Sequence, residues 1–392
     1  MSCGHTGKLF YDNCPDDPAQ AGPGVHALVI GMSRYTLAGG KAPNGFRDIA
    51  GTAVGAGRFA TWLVEEFYHP KSIPLRTVRL LLSPMESEKG SLPKGYLPEE
   101  ANEANYDNVR SALQHWGDDC NSHGDNIAVL YVGGHGMATT EGALIFLPEA
   151  NVHKDMYLYC INTAMTRELM AYCRARSNIY IYDCCSLRSK KFPHVLEGSG
   201  LGGQIFDFEG AQRAFEFTIM AARPGTETYA IGSRDGTLLS WALMQVLRKA
   251  GKLIDGYFAV TKDRIDSQLL PVMRQQRDVE LPPGYEAIVK GYDDSAGITR
   301  PQPPPSFTII FVPSPGAIGQ TVTVTIEDEA TGEAIAQRQV NGRDSEPVEL
   351  RAGSYPVVAE YRAEDGSEKS KPYVLHVERD ARVFSRTGRE AP

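Results

Sequence analysis

The sequence predicts an α/β protein: a three-layer α/β/α sandwich on a mostly parallel sheet, followed by a small all-β sandwich. Short apolar runs alternate with helix-periodic stretches as far as residue 299. A proline cluster, Arg300-Pro-Gln-Pro-Pro-Pro305, then interrupts the pattern. Beyond it the hydrophobic period changes to two, most cleanly in Thr321-Val-Thr-Val-Thr-Ile326. Strand–helix alternation demands crossover connections, hence parallel strands covered on both faces. A period of two reads as half-buried strands.

Residues 1–24, rich in Gly, Pro and Asp, read as an irregular arm. Residues 26–31 (His-Ala-Leu-Val-Ile-Gly) form a strand, and residues 49–67 a helix with Phe59, Leu63 and Phe67 on one face. Residues 77–82 are a second strand. A helix over 106–116 opens near Asp107 and carries Val109, Leu113 and Trp116 at helical spacing. The run Ile127-Ala-Val-Leu-Tyr-Val132 ends in Gly133-Gly134-His135-Gly136. A helix near 166–176 precedes Asn178-Ile-Tyr-Ile-Tyr182, which ends in Asp183-Cys184-Cys185. A strand over 217–222 and a helix over 238–250 follow. The α/β domain thus spans 25–299 and a stiff linker 300–305. A β-sandwich spans 306–385, with strand-like stretches at 354–361 and 373–377 and turns at Ala330-Thr-Gly332 and Glu364-Asp-Gly366. Residues 386–392 are a tail. The stretch Leu350-Arg-Ala-Gly-Ser-Tyr355 resembles immunoglobulin-like or transthyretin-like modules.

A net charge of −8 argues against nucleic-acid and anionic-membrane partners, which need concentrated positive charge. No run reaches the roughly 18 apolar residues of a membrane span, and residues 1–24 hold no apolar core of a secretory signal. Seven cysteines, two of them adjacent, fit a reducing cytoplasm better than a disulfide scaffold. No metal or cofactor is expected. Cys3, His5 and Cys14 lack the paired spacing of a zinc site, and no acidic loop resembles an EF-hand.

Two strands therefore end in the side chains that thiol catalysis needs. Ligands of such sheets bind beyond the carboxyl ends of the strands. There Cys185 could act as nucleophile and His135 as its acid–base partner, with the Gly136 and Cys185 N–H groups as oxyanion donors. A lone strand-end His is usually structural and a buried Cys usually inert. Order, spacing and the flanking glycines favour the dyad. Cys184 reads as packing and is the fallback nucleophile.

At these residues the sequence resembles the caspase and metacaspase family of cysteine peptidases. His135-Gly136 follows Tyr131-Val-Gly-Gly, and the strand-ending Asp183-Cys184-Cys185 matches an Asp-x-Cys common in metacaspases. The separation of 50 residues is close to the caspase His-to-Cys spacing. Ala221-Ala-Arg-Pro-Gly225 followed by Asp235-Gly-Thr-Leu-Leu-Ser-Trp-Ala-Leu243 is similar to the small-subunit strand, loop and helix. Ile49-Ala-Gly-Thr-Ala-Val-Gly-Ala56 is similar to the start of the first helix. The resemblance covers roughly residues 25–255 and implies a caspase-like endopeptidase needing no cofactor.

The departures bear on specificity. Caspases hold a P1 aspartate with two arginines; the matching positions are Ile49 and Tyr229 or Ala230. Asp183 matches an acidic S1 position of metacaspases, so the resemblance implies cleavage after Arg, then Lys, through a charge-assisted bond. A second acidic position of metacaspases falls on Gly55, leaving Glu141 as a candidate helper. Ser186-Leu187-Arg188 stands where His-Ser-Gly is usual. In the family, the loop after the nucleophile is cut on maturation. Arg188, Lys190 and Lys191 are the candidates here, with self-processing or an upstream protease as agent. Bacterial signalling or antiviral defence cascades are the implied setting. The rival readings are a catalytically inactive caspase-fold adaptor and a hydrolase or transferase acting on a non-peptide substrate.

Overall fold

A computed structural model describes residues 9–15, 22–36, 43–96, 102–139, 141–185, 187–188, 200–202, 208, 215–223, 225–232, 235–291, 297–315, 320–363 and 365–391. The chain divides into two compact units. The first comprises residues 1–247 and 261–299, the second residues 248–260 and 300–392.

In the first unit β1 (Tyr11–Asp12), β2 (Val25–Met32), α1 (Thr52–Glu65), β3 (Leu75–Ser83), α2 (Tyr106–Asn121) and β4 (Ile127–Gly134) come first. The short strands β5 (Gly136–Ala138), β6 (Ala143–Phe146) and β7 (Cys160–Asn162) lead to α3 (Thr163–Met170), β8 (Ser177–Cys184) and β9 (Leu187–Arg188). Then follow β10 (Phe215–Met220), β11 (Ala230–Gly232), β12 (Gly236–Thr237) and α4 (Leu238–Lys249). Among the described residues the main sheet runs β1-β3-β2-β4-β8-β10-β15, the last strand being Ile288–Gly291. Its inner strands are parallel, and only the edges β1 and β15 pair antiparallel.

Strands β2, β4 and β8 are buried at every residue. Helices cover both faces, so these strands read as continuous apolar runs rather than alternating ones. One face presents Leu28, Ile30, Leu130, Val132, Tyr180 and Tyr182 to Leu113 and Trp116 of α2 and Met170 of α3. The other meets α1, whose Phe59 stacks on Tyr131 at 5.1 Å.

Helix boundaries differ from the sequence expectation where a cap decides them. Asn105, not Asp107, opens α2 by accepting from the Asn108 N–H at 2.9 Å, and the helix runs on to Asn121. Helix α3 begins at Thr163, earlier than expected, because Asn162 accepts from the Met165 N–H. It stops at Met170 so that the chain can turn back into β8. The expected irregular arm contributes β1 to the sheet edge.

The second unit holds the hairpin β13 (Lys252–Ile254) and β14 (Tyr257–Ala259), while α5 (Lys262–Gln275) and β15 return to the first. Its other strands are β16 (Ser306–Val312), β17 (Thr321–Glu327), β18 (Ala334–Asn341), β19 (Val348–Arg351), β20 (Gly353–Arg362), β21 (Glu368–Val377) and β22 (Ala381–Phe384). Sheets β19-β16-β22 and β18-β17-β20-β21 share a core containing Phe307, Phe311, Val324, Ile326, Val357 and Val377. β17 alternates between exposed or half-buried and buried residues along its length, as a sandwich strand should. The α/β unit is therefore not continuous from 25 to 299. Phe258 belongs to the sandwich core, and the Leu253 N–H donates to Glu378 Oε1 at 2.7 Å. Among the described residues no helix is long and apolar enough to cross a membrane.

Candidate active site

Strands β4 and β8 pair in parallel with Gly133 opposite Asp183 and Gly134 opposite Cys184. His135 and Cys185 are the next residues on each strand, so they leave the carboxyl edge of the sheet side by side.

The His135 ring is fixed from several directions. Its Nε2 lies 2.7 Å from the Arg47 carbonyl oxygen. A carbonyl only accepts, so Nε2 carries the hydrogen and Nδ1 is the nitrogen with a free lone pair in the neutral ring. Tyr35 packs edge-on against the imidazole at 4.7 Å, and Phe46 lies 5.3 Å away. The Tyr35 hydroxyl accepts from the His135 N–H at 3.0 Å and donates to the Phe146 carbonyl at 2.9 Å. Asp48 accepts from the Tyr35 and Thr36 N–H groups at 2.7 and 2.8 Å, which anchors the segment presenting Arg47. Burial pushes the His135 pKa down, opposed by the Arg47 carbonyl and the Asp48 charge. The imidazole is thereby held in its neutral, proton-accepting form.

Cys185 is half-buried, whereas Cys184 is buried among the apolar residues beneath the sheet edge. Burial pushes the Cys184 thiol well above its ordinary value, with Cys185 and Asp183 adding to the shift, which favours its protonated form. A Cβ on Gly136 would stand 2.3 Å from the Cys185 carbonyl oxygen and 2.8 Å from Cys184 Sγ. Only glycine admits that approach. Thr228, in the loop before β11, donates its N–H to Cys185 Sγ at 3.3 Å and places Oγ1 at 3.3 Å from the same sulfur.

Asp183 is 2 % exposed and faces the α1 side of the sheet. Its Oδ2 accepts from the Tyr131 hydroxyl at 2.6 Å and from the Thr237 hydroxyl. Its Oδ1 is buried and has no partner among the described residues. Burial raises the Asp183 pKa, with the Thr237 and Tyr131 hydroxyls opposing. Such a carboxyl lacks a cation.

The family profile of the caspase domain matches residues 25–279. The chain belongs to the caspase-domain family of cysteine peptidases. Among solved structures, the crystal structure of caspase-1 from Spodoptera frugiperda is similar at 11% identity. The match covers 73% of this chain and 95% of that one, with a TM-score of 0.38. No curated protein matches the chain.

Within this caspase domain, Glu141 does not join Asp183. It is exposed and lines a cavity of about 230 Å³ with Tyr182, Arg167, Thr218 and Lys290. Tyr182 and Asp183 alternate along β8, so Glu141 lies on the opposite face of the sheet. Gly55, the other position considered for a second acid, stands against α4. A Cβ there would meet Ser240 Oγ at 2.5 Å and Ser240 Cβ at 2.8 Å, which leaves no room for a carboxylate. Ile49 packs against the apolar core, and Tyr229 stands edge-on to Tyr285 at 5.8 Å; neither supplies a cation for an acidic side chain. Arg188 ends β9, beside β5, while Lys190 and Lys191 lie outside the described residues. Among the described residues no group of His, Cys, Asp and Glu could hold a metal ion.

Arg47, Tyr35, Thr228 and Thr237 belong to no motif around His135 or Cys185. Only Tyr131 left a signal, since strand alternation puts it on the same face as Asp183 once β4 and β8 are paired.

Proposed function

We propose that this caspase-domain chain is an endopeptidase in which Cys185 attacks the scissile carbonyl and His135 moves the protons. The bond from His135 Nε2–H to the Arg47 carbonyl carries this reading, because it reserves Nδ1 for the thiol proton. The Cys185 S–H proton passes to Nδ1 and the sulfur keeps its electron pair to form the thioester. The imidazolium then protonates the leaving amine, and water, deprotonated by the same nitrogen, releases the acid. The N–H groups of Gly136 and Cys185 serve the developing oxyanion.

Cleavage after Arg, and second after Lys, is supported by Asp183. Its Oδ2 already accepts two hydrogen bonds and its Oδ1 accepts none among the described residues. A basic P1 side chain would engage Oδ1 end-on and supply the missing cation. Processing after Arg188, Lys190 or Lys191, by the chain itself or by an upstream protease, suits an enzyme of that specificity. A cytoplasmic setting suits the free thiols of the described cysteines.

Peptides bearing Arg, Lys or Asp at P1 test the proposal. The purified chain should cleave Arg first, Lys second and Asp not at all. Cys185→Ala should lose cleavage and Cys184→Ala keep it. Activity in Cys185→Ala with loss in Cys184→Ala would mean that the other sulfur is the nucleophile. Intact-mass measurement of the active enzyme should show two fragments; a single uncut chain would rule out processing.

A further inference from the structure

We infer that Thr228 is a positioning residue that holds the Cys185 sulfur and stabilises its thiolate through two hydrogen bonds, one from the backbone N–H and one from the side-chain hydroxyl. The inference rests on the reading of Cys185 as nucleophile and adds a residue to that site.

Both contacts converge on one atom, at 3.3 Å each. The two donors differ in kind. The amide can only donate, whereas the hydroxyl can turn. With the sulfur protonated, the hydroxyl accepts from S–H. After the proton has moved to His135 Nδ1, the hydroxyl rotates and donates to the sulfur, keeping its own hydrogen. Thr228 therefore satisfies the sulfur before and after proton transfer without moving its backbone.

The surroundings explain why the sulfur needs such a partner. Cys184, Tyr35 and Tyr285 interact electrostatically with Cys185, and His135 follows the end of the strand paired with its own. Burial pushes the first three up, and with them the tendency to stay uncharged. Burial pushes His135 down, again towards the uncharged form. Asp183, two residues away, could contribute only negative charge. None of these four groups is a cation before proton transfer, so neutral donors on the sulfur add to what the His135 imidazolium supplies once the thiolate forms. Thr228 supplies two of them from a loop that folds back onto the strand end. The loop is tied down just beyond, where the Leu238 N–H donates to the Tyr229 carbonyl at 2.9 Å.

The test is the pH profile of iodoacetamide alkylation at Cys185, followed in the full chain by fragmentation mass spectrometry of the peptide holding both adjacent cysteines. Thr228→Val removes the hydroxyl, keeps the shape and leaves the amide. It should lower the alkylation rate at neutral pH about tenfold and move the whole profile upwards by about one pH unit. Thr228→Ser should restore the wild-type profile. If Thr228→Val does not fold, Thr228→Ala carries the same comparison. A profile unchanged by removal of the hydroxyl would overturn the inference. The alkylation readout needs no substrate. A wild-type chain that cleaves no Arg peptide would defeat the proposed function, while the shift in Thr228→Val would still report on the thiolate.

Discussion

His135 Nε2 and the Arg47 carbonyl oxygen are 2.7 Å apart, and this bond decides which nitrogen of the neutral imidazole keeps a free lone pair. Burial lowers the affinity of that ring for a second proton. In the unfolded chain the imidazole protonates near its ordinary value of about 6.5. The His135 ring should therefore titrate below that value in the folded protein, as read from its Cε1–H signal by NMR. The unfolded chain binds the extra proton first, so this group's contribution to stability is present above about 6.5 and is lost as pH falls towards the folded value. His135→Gln should flatten that part of the stability profile. A His135 signal titrating above 6.5 would contradict the burial argument.

The same burial acts on Asp183 with the opposite sign. Its pKa is raised, so its contribution to stability is present at pH below the ordinary carboxyl value and is lost as pH rises through the folded value. Asp183→Asn should therefore raise stability at neutral pH. An amide oxygen can accept from Tyr131 and Thr237 while its NH2 replaces the partnerless Oδ1. A gain of about 1 kcal/mol would appear as a rise of roughly 2–4 °C in Tm. Cleavage after Arg should fall by at least a hundredfold in the same variant. A lower Tm in Asp183→Asn would show that the carboxylate is already compensated.

Gly55 and Ser240 are packed tightly enough that a methyl group cannot be added. Gly55→Ala would bring a carbon to 2.5 Å from Ser240 Oγ and 2.8 Å from its Cβ. Overpacking of this kind costs about 1–3 kcal/mol. Denaturant unfolding should show that loss, whereas Gly22→Ala, with nothing within 4 Å of the added carbon, should show none of it.

Phe258 lies in sequence between α4 and α5 of the first unit, yet its ring fills the sandwich core beside Phe307. Phe258→Ala should destabilise the second unit by about 3–5 kcal/mol. Hydrogen exchange should speed up in β16, β17 and β20, with little change in β2, β4 and β8. The reverse pattern would place the ring's energetic role in the first unit.

The central strands were legible because their signal is local. An unbroken apolar run covered on both faces needs no knowledge of the rest of the chain, and β4 and β8 follow from that rule. That His135 and Cys185 each follow a strand end was legible for the same reason, whereas the pairing of those two strands was not. Glu141 does not help Asp183, because an acidic residue type says nothing about which face of a sheet its side chain reaches. The hairpin at 252–259 was read into the α/β domain because Phe258 finds its core nearly 50 residues further along the chain.

The alternation of strands and helices, the change of period beyond the prolines, and the placing of a His and a Cys just past two apolar strands are all written in the sequence. These depend on periodicity and on residue type, which are properties of short windows. Tertiary structure decided what surrounds that pair. The Arg47 carbonyl that selects the His135 tautomer is a backbone group with no side-chain signature. Thr228 reaches Cys185 across 43 residues from a polar loop that looks like any other. The two donors on Asp183 Oδ2, one on β4 and one on β12, meet only after the sheet and α4 have formed. Each is a long-range contact made by one or two atoms, and such contacts exist only once the chain has closed around them.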